Sequence, residues 1–145
     1  MSAEKFFNHI TLLRCPACGA AFSRRGSSLV CAGGHTFDPS RKGYVHFVPN
    51  AAPSQYDRSL FESRRRILEA GFYDAVIDAI RCAMPQNPAV VLDAGCGEGW
   101  YTAGIAAALR EKGRRLGALG VDISREALKY AARRGGMELA VASVS

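Results

Sequence analysis

Apolar and polar positions fall into three textures along the chain. Residues 10–49 mix Cys, Gly, His, aromatic and β-branched residues with turn formers and carry no helical period. Asn50-Ala51-Ala52-Pro53 reads as a short linker, because proline biases its predecessor away from helix. From about Asp57 to Cys82 the pattern turns helical. Leu60, Phe61, Ile67 and Leu68 form one apolar stripe interrupted by Arg64; Gly71 divides the stretch, and Tyr73, Val76, Ile77 and Ile80 continue a second stripe. Pro85 and Pro88 close this region.

The third texture alternates strand and helix. Ala89-Val90-Val91-Leu92-Asp93 predicts a buried parallel strand, and Thr102 to Lys112 an alanine-rich helix closed by Gly113. Leu116 to Val121 predicts a second strand ending at Asp122. Ser124 is the expected N-cap of a helix over Arg125 to Arg134, which stops at Gly135-Gly136, and Glu138 to Ala142 begins a third strand. This order predicts an α/β fold with a doubly wound, Rossmann-like sheet.

Composition narrows the class. At 145 residues, with 48% hydrophobic and 22% charged positions, the chain has room for one ordinary domain, or for a small module joined to part of a larger one. No apolar run approaches the ~18–20 residues of a membrane span. Met1 to Phe7 includes Glu4 and Lys5 and lacks signal-peptide order, so a cytoplasmic location and no membrane partner are expected. The net charge of +6 is uneven: residues 1–70 hold ten Lys/Arg against five Asp/Glu, and residues 71–145 nine against eight. A basic first half suits either a phosphate-backbone partner or an ordinary solvated surface.

Three of the five cysteines crowd together, which in a reducing compartment points to metal rather than disulfides. Cys15, Cys18, Cys31 and His35 form a C-x2-C-x12-C-x3-H set, a Cys3His arrangement that suits tetrahedral Zn2+. Cys15-Pro16-Ala17-Cys18-Gly19 predicts a tight turn aiming two thiolates at one point, and a hairpin then brings Cys31 and His35 opposite. Gly33-Gly34 argues against a helix, so the expectation is a zinc ribbon with a structural metal. His9 and His46 lie outside the pattern and read as surface or packing residues, and Cys82 as a small core residue within a helix.

The segment Asp93-Ala94-Gly95-Cys96-Gly97-Glu98-Gly99 carries a strand into a glycine-rich turn before a helix. Nicotinamide and flavin folds use related turns, but three details favour S-adenosylmethionine. Asp93 ends the strand, where a carboxylate can hold the turn and meet the cofactor's cationic amino-acid part. The turn is G-x-G-x-G, whereas the dinucleotide fingerprint would need glycine at Trp100. Asp122 ends the second strand, where a carboxylate can accept ribose hydroxyls. Gly95, Gly97 and Gly99 let the backbone approach the cofactor. Glu98 either contacts the cofactor or favours the helix N-terminus, Cys96 is a small turn residue, and Trp100 and Tyr101 shape the pocket or pack in the core.

Taken in order, the cysteine set, Arg64 to Tyr73, Leu92 to Thr102, Gly120 to Ser124 and Val141-Ala142-Ser143 resemble the bacterial 23S ribosomal RNA (guanine-N1)-methyltransferases. The resemblance implies an N-terminal zinc ribbon that helps recognise a ribosomal RNA hairpin, followed by the first half of a class I methyltransferase sheet. It matches Cys15, Cys18, Cys31 and His35 to zinc ligands, Gly97 and Glu98 to cofactor contacts, and Tyr73 to a cofactor-contacting tyrosine. The implied division is a zinc-ribbon module at 1–50, a helical linker region at 51–85 and a partial methyltransferase domain at 86–145. The implied reaction is methyl transfer from S-adenosylmethionine to guanine N1, with the nucleotide flipped or presented from a loop. No residue is assigned as proton acceptor, and a homodimer is among the assemblies left open. Arg24, Arg25, Arg41, Lys42, Arg64, Arg65 and Arg66 are candidate phosphate contacts.

A class I sheet places its first strand centrally, with further strands beyond it, whereas the pattern here ends near the third predicted strand. The expectation is a truncated product or fragment whose first strand exposes an apolar edge. Two further readings stay open: a zinc-ribbon RNA-binding fragment without catalytic activity, and a small-molecule methyltransferase.

Overall fold

A computed structural model describes residues 8–48, 57–86 and 90–143. The linker at Asn50 to Pro53, together with Pro88 and Ala89, lies outside the described residues. After a 3-10 turn at Ile10–Leu12, the first unit is an antiparallel meander of β1 (Phe22–Arg25), β2 (Ser28–Cys31) and β3 (Thr36–Phe37). Its small core holds Cys15, Phe22, Leu29, Cys31 and Val45. Phe22, Phe37 and Phe47 meet ring to ring, with centroids 5.2–5.7 Å apart.

Strand β4 (Tyr44–His46) follows, then α1 (Arg58–Glu69) and α2 (Asp74–Ala83). The Asp57 carboxylate accepts the Leu60 N–H at 2.9 Å and so caps α1. The two helices part at Gly71, as the apolar stripes predict. Of the first stripe, Phe61 and Leu68 are buried, while Leu60 and Ile67 remain open. None of the α2 residues is buried, and Cys82, expected in the core, is exposed. The reason is rotational. Ile77 points α2 at Gly104, and five positions further on Cys82 has turned to another flank.

The remaining elements are β5 (Val90–Ala94), α3 (Trp100–Glu111), β6 (Gly117–Asp122), α4 (Arg125–Arg134) and β7 (Glu138–Val141). Each falls within two residues of its predicted bounds. Ser124 caps α4, its hydroxyl accepting the Ala127 N–H at 3.2 Å. The four strands form a parallel sheet in the order β4-β7-β6-β5, half of a Rossmann-like arrangement with an added strand.

That added strand, β4, joins the two units. Alternate side chains of a strand face opposite ways. Val45 enters the core of the meander, whereas Tyr44 packs with Cys96, Leu128, Ala131, Ala132, Leu139 and Val141 in the core of the sheet. At the opposite side β5 is an edge strand, as expected for the first strand, and its Leu92 is 64% exposed. Among the described residues no helix is long and apolar enough to cross a membrane.

Candidate metal centre and cofactor cleft

The predicted metal ligands converge. The Cys15 N–H donates to the Ala20 carbonyl at 2.9 Å and the Gly19 N–H to the Cys15 carbonyl at 2.7 Å, which folds the first pair into a tight knuckle. The antiparallel register of β1 and β2 then carries Cys31 back beside it, and His35 follows before β3. One donor atom from each of Cys15, Cys18, Cys31 and His35 lies within 4.8 Å of all the others.

Individual separations are 3.6 Å for Cys18 Sγ to Cys31 Sγ, 3.6 Å for Cys15 Sγ to His35 Nδ1 and 3.4 Å for Cys31 Sγ to His35 Nδ1. A tetrahedron with Zn–S of about 2.3 Å and Zn–N of about 2.0–2.1 Å has edges of roughly 3.8 Å between sulfurs and roughly 3.6 Å between sulfur and nitrogen. The donors therefore fit zinc in both chemistry and spacing. With four protein ligands the position is closed to substrate, so a metal held there acts on folding. Burial alone would raise the Cys31 thiol, but hydrogen bonds with the His35 side chain and backbone and with Cys18 and Cys15 bring it down to about 6. A Cβ on Gly33 would lie 3.1 Å from Cys18 Sγ, so a larger residue there would crowd the candidate metal site.

The glycine turn is built by β5, α3 and the tip of β6. The N–H groups of Gly95 and Cys96 donate to the Val121 carbonyl at 2.8 and 3.0 Å. Asp122 accepts the Gly97 N–H at 2.8 Å through Oδ2 and the Ser124 N–H at 2.7 Å through Oδ1. One carboxylate thus fixes the turn and the start of α4 together. Thr102 donates its hydroxyl hydrogen bond to Asp93, tying the end of β5 to the first turn of α3.

Beside this turn lies a cleft of about 210 Å3, lined by Gly95, Gly97, Asp122, Ser124 and Ala127 and, from α1, by Leu60, Phe61 and Arg64. Of the sequence-predicted residues the structure brings Gly95, Gly97 and Asp122 onto the cleft. Nothing stands within 4 Å of a Cβ built on Gly95 or Gly97, so both face open space. Gly99 faces the other way: at φ +71 its Cβ would sit 2.3 Å from Met137 Cε and 3.2 Å from Ala131 Cβ. Tyr73 stands at the start of α2 against Tyr101, with ring centroids 6.3 Å apart.

Glu98 lies behind the turn, 2% exposed. Its Oε2 accepts from Arg134 Nη2 at 2.9 Å, and Arg134 Nε also donates to the Glu98 carbonyl at 3.0 Å. Oε1 lies 3.5 Å from Arg64 Nε, close enough for an ion pair though without hydrogen-bond geometry. Arg134 further stacks over Trp100, 4.7 Å from the ring centroid. Cys96 is buried, and burial together with the Asp93 and Asp122 carboxylates pushes its thiol up to about 12, which removes it as a nucleophile at neutral pH.

Sequence reading missed the contribution of α1 to the cleft and the anchoring role of Arg134. The first left a signal, since Arg64 interrupts an otherwise apolar stripe. Arg134 left none, because a basic residue in the last turn of a helix is ordinary.

Comparison with known proteins bears on this geometry. Residues 13–54 match the zinc-ribbon family described as RlmA, N-terminal. The chain is 34% identical, over 85% of its length, to YxjB of Bacillus subtilis (strain 168), which is named as a candidate 23S rRNA (guanine-N(1)-)-methyltransferase. It is 32% identical, over 87% of its length, to the 23S rRNA (guanine(748)-N(1))-methyltransferase of Streptomyces fradiae. In both cases it spans 46% of the relative's own length. The chain thus carries an RlmA-type zinc ribbon and a half Rossmann-like sheet, is similar to 23S rRNA (guanine-N1)-methyltransferases, and spans about half the length of these curated relatives.

Proposed function

We propose that the cleft beside the glycine turn binds S-adenosylmethionine for methyl transfer to N1 of a guanine in 23S ribosomal RNA. The observation that carries this reading is the Asp122 carboxylate, which lines the cleft and holds Gly97 and Ser124 through one lone pair on each oxygen, with further lone pairs to offer. Those free lone pairs suit ribose hydroxyls. Gly95 and Gly97 leave the floor clear for the cofactor. Asp93, Glu98 and Gly99 hold the turn in place from behind, and Tyr73 contributes to the rim next to Tyr101.

Bound S-adenosylmethionine supplies an electrophilic methyl group on sulfur. Held by Gly95, Gly97 and Asp122, it would supply that methyl to guanine N1, whose proton would pass to solvent, and alignment of the two reactants would be the protein's main contribution. Zinc at Cys15, Cys18, Cys31 and His35 holds the ribbon, which contributes to binding a ribosomal RNA hairpin in the cytoplasm. The division into 1–50, 51–85 and 86–145 is part of this reading, with β4 as the strand through which the first unit enters the sheet. Assembly as a homodimer is compatible with it.

A second reading, binding without turnover, is favoured by one observation. Asp122 is the only carboxylate lining the cleft among the described residues, and both its oxygens already hold backbone N–H groups. With its remaining lone pairs given to ribose hydroxyls, no lining carboxylate or imidazole is left among the described residues to take the N1 proton. Calorimetry on the zinc-loaded chain tests cofactor binding directly. Heat with S-adenosylmethionine, weakened at least tenfold in Asp122→Ala, is expected; absence of heat would overturn the cofactor reading. Transfer of a labelled methyl group to 23S rRNA then separates turnover from binding alone.

A further inference from the structure

We infer that a second cleft, between the turn before β4 and the outer face of α4, is a binding site for the phosphodiester backbone of RNA. This rests on the ribosomal RNA reading above and assigns it a surface. The cleft measures about 360 Å3 and is lined by Arg41, Lys42, Gly43, Lys129, Ala132 and Arg133. Its cations come from segments far apart in sequence, and the fold brings them together for a specific reason. The Gly43 turn, at φ +91, lies directly against α4, where a Cβ built on it would meet Ala132 Cβ at 3.8 Å. Pairing of β4 with β7 fixes that approach.

Lys129 and Arg133 stand four residues apart and therefore on one face of α4. Among the described residues no acidic side chain lines the cleft. Lys129 is half-buried and paired with Glu126, whereas Arg133 packs over the Tyr130 ring, 5.4 Å from its centroid, and stays exposed. Arg41, Lys42 and Arg133 are exposed, and among the described residues none of the three has an ion-pair partner. The C-terminal end of α4 works against an anion by the equivalent of about half a charge. Several full charges outweigh it.

Placement favours RNA over a small phosphate ligand. The same helix lines both clefts, with Ala127 at the glycine turn and Arg133 here. At ~1.5 Å per residue these positions are roughly 9 Å apart along the helix, a separation one strand can bridge while a nucleotide reaches the cofactor cleft.

The test is the salt dependence of affinity for a fluorescent 23S rRNA stem-loop, read by anisotropy on the zinc-loaded full chain. Neutralising one cation that pairs with a phosphate takes about 0.7–0.9 from the slope of log K against log salt concentration. Lys42→Gln/Arg133→Gln is expected to flatten the slope by roughly 1.4–1.8. Arg41→Gln/Lys42→Gln, which leaves α4 untouched, should do the same. Arg110→Gln/Lys112→Gln, at the exposed end of α3, should change it little. If the cleft variants match the wild type, or the α3 variant flattens the slope equally, the cleft assignment fails and the RNA reading stands. A wild-type chain with no salt-dependent RNA binding would sink both.

Discussion

Gly99 and Glu138 show how much of this structure hangs on single residues. Gly99 lies in left-handed backbone at the start of α3 and is packed against Ala131 and Met137. Gly99→Ala combines strain at positive φ with a methyl group that the flexible Met137 can evade but Ala131 cannot. We expect a loss of about 1–3 kcal/mol, read as a lower denaturation midpoint. Glu138, at the start of β7, is buried and accepts the Asn8 N–H at 3.0 Å, with His9 Nδ1 at 2.9 Å. Burial raises its carboxyl above the ordinary 4.5, against the lowering effect of His9 and the two backbone N–H groups. With the folded value above the unfolded one, the stabilising contribution is complete below about pH 4.5 and is lost as pH rises through the folded value. Glu138→Gln removes this titration. Its stability relative to the wild type should therefore improve between pH 4 and pH 7 in urea titrations, and a constant difference would contradict the assignment. His9, read from sequence as a surface or packing residue, is this carboxylate's partner; nothing local could have revealed a pairing made across the length of the chain.

Elements divide by what holds them. The meander β1–β3 has a core of five buried side chains, two of them cysteines of the candidate metal site, so its folding is expected to depend on the metal. Chelation is expected to abolish hydrogen-exchange protection across residues 22–37 while residues 117–141 in β6, α4 and β7 stay protected. Loss of protection in both regions at once would show instead that β4 makes them one cooperative unit. Most of these elements are legible in the sequence because their signals are local: Ser124 as a cap, Gly71 as a break, alternating strand and helix. Two features are not. Strand β4 is three residues long and is made a sheet member by pairing with the distant β7, and Cys82 turned outward because α2 packs through Ile77.

At the scale of the molecule the parallel sheet has unequal sides. β4 covers the outer edge of β7, whereas among the described residues nothing pairs with the outer edge of β5, whose Leu92 is 64% exposed. An open apolar edge templates pairing with another chain. Sedimentation velocity should show self-association rising with concentration, reduced in Leu92→Lys, where a charge on the edge strand opposes pairing. Association unchanged by that substitution would place the contact elsewhere.

Local pattern alone specifies the Cys3His set, the glycine turn and the alternation of strand and helix, because spacing, backbone freedom and periodicity act over a few residues. Tertiary structure decided how the glycine turn is used. Within Asp93 to Gly99, Gly95 and Gly97 face the cleft, while Gly99 and Glu98 serve packing and the Arg134 ion pair. Tertiary structure also decided that Arg41 and Lys42 meet Lys129 and Arg133. Such meetings depend on which faces come together once the sheet has closed, and no local pattern records that.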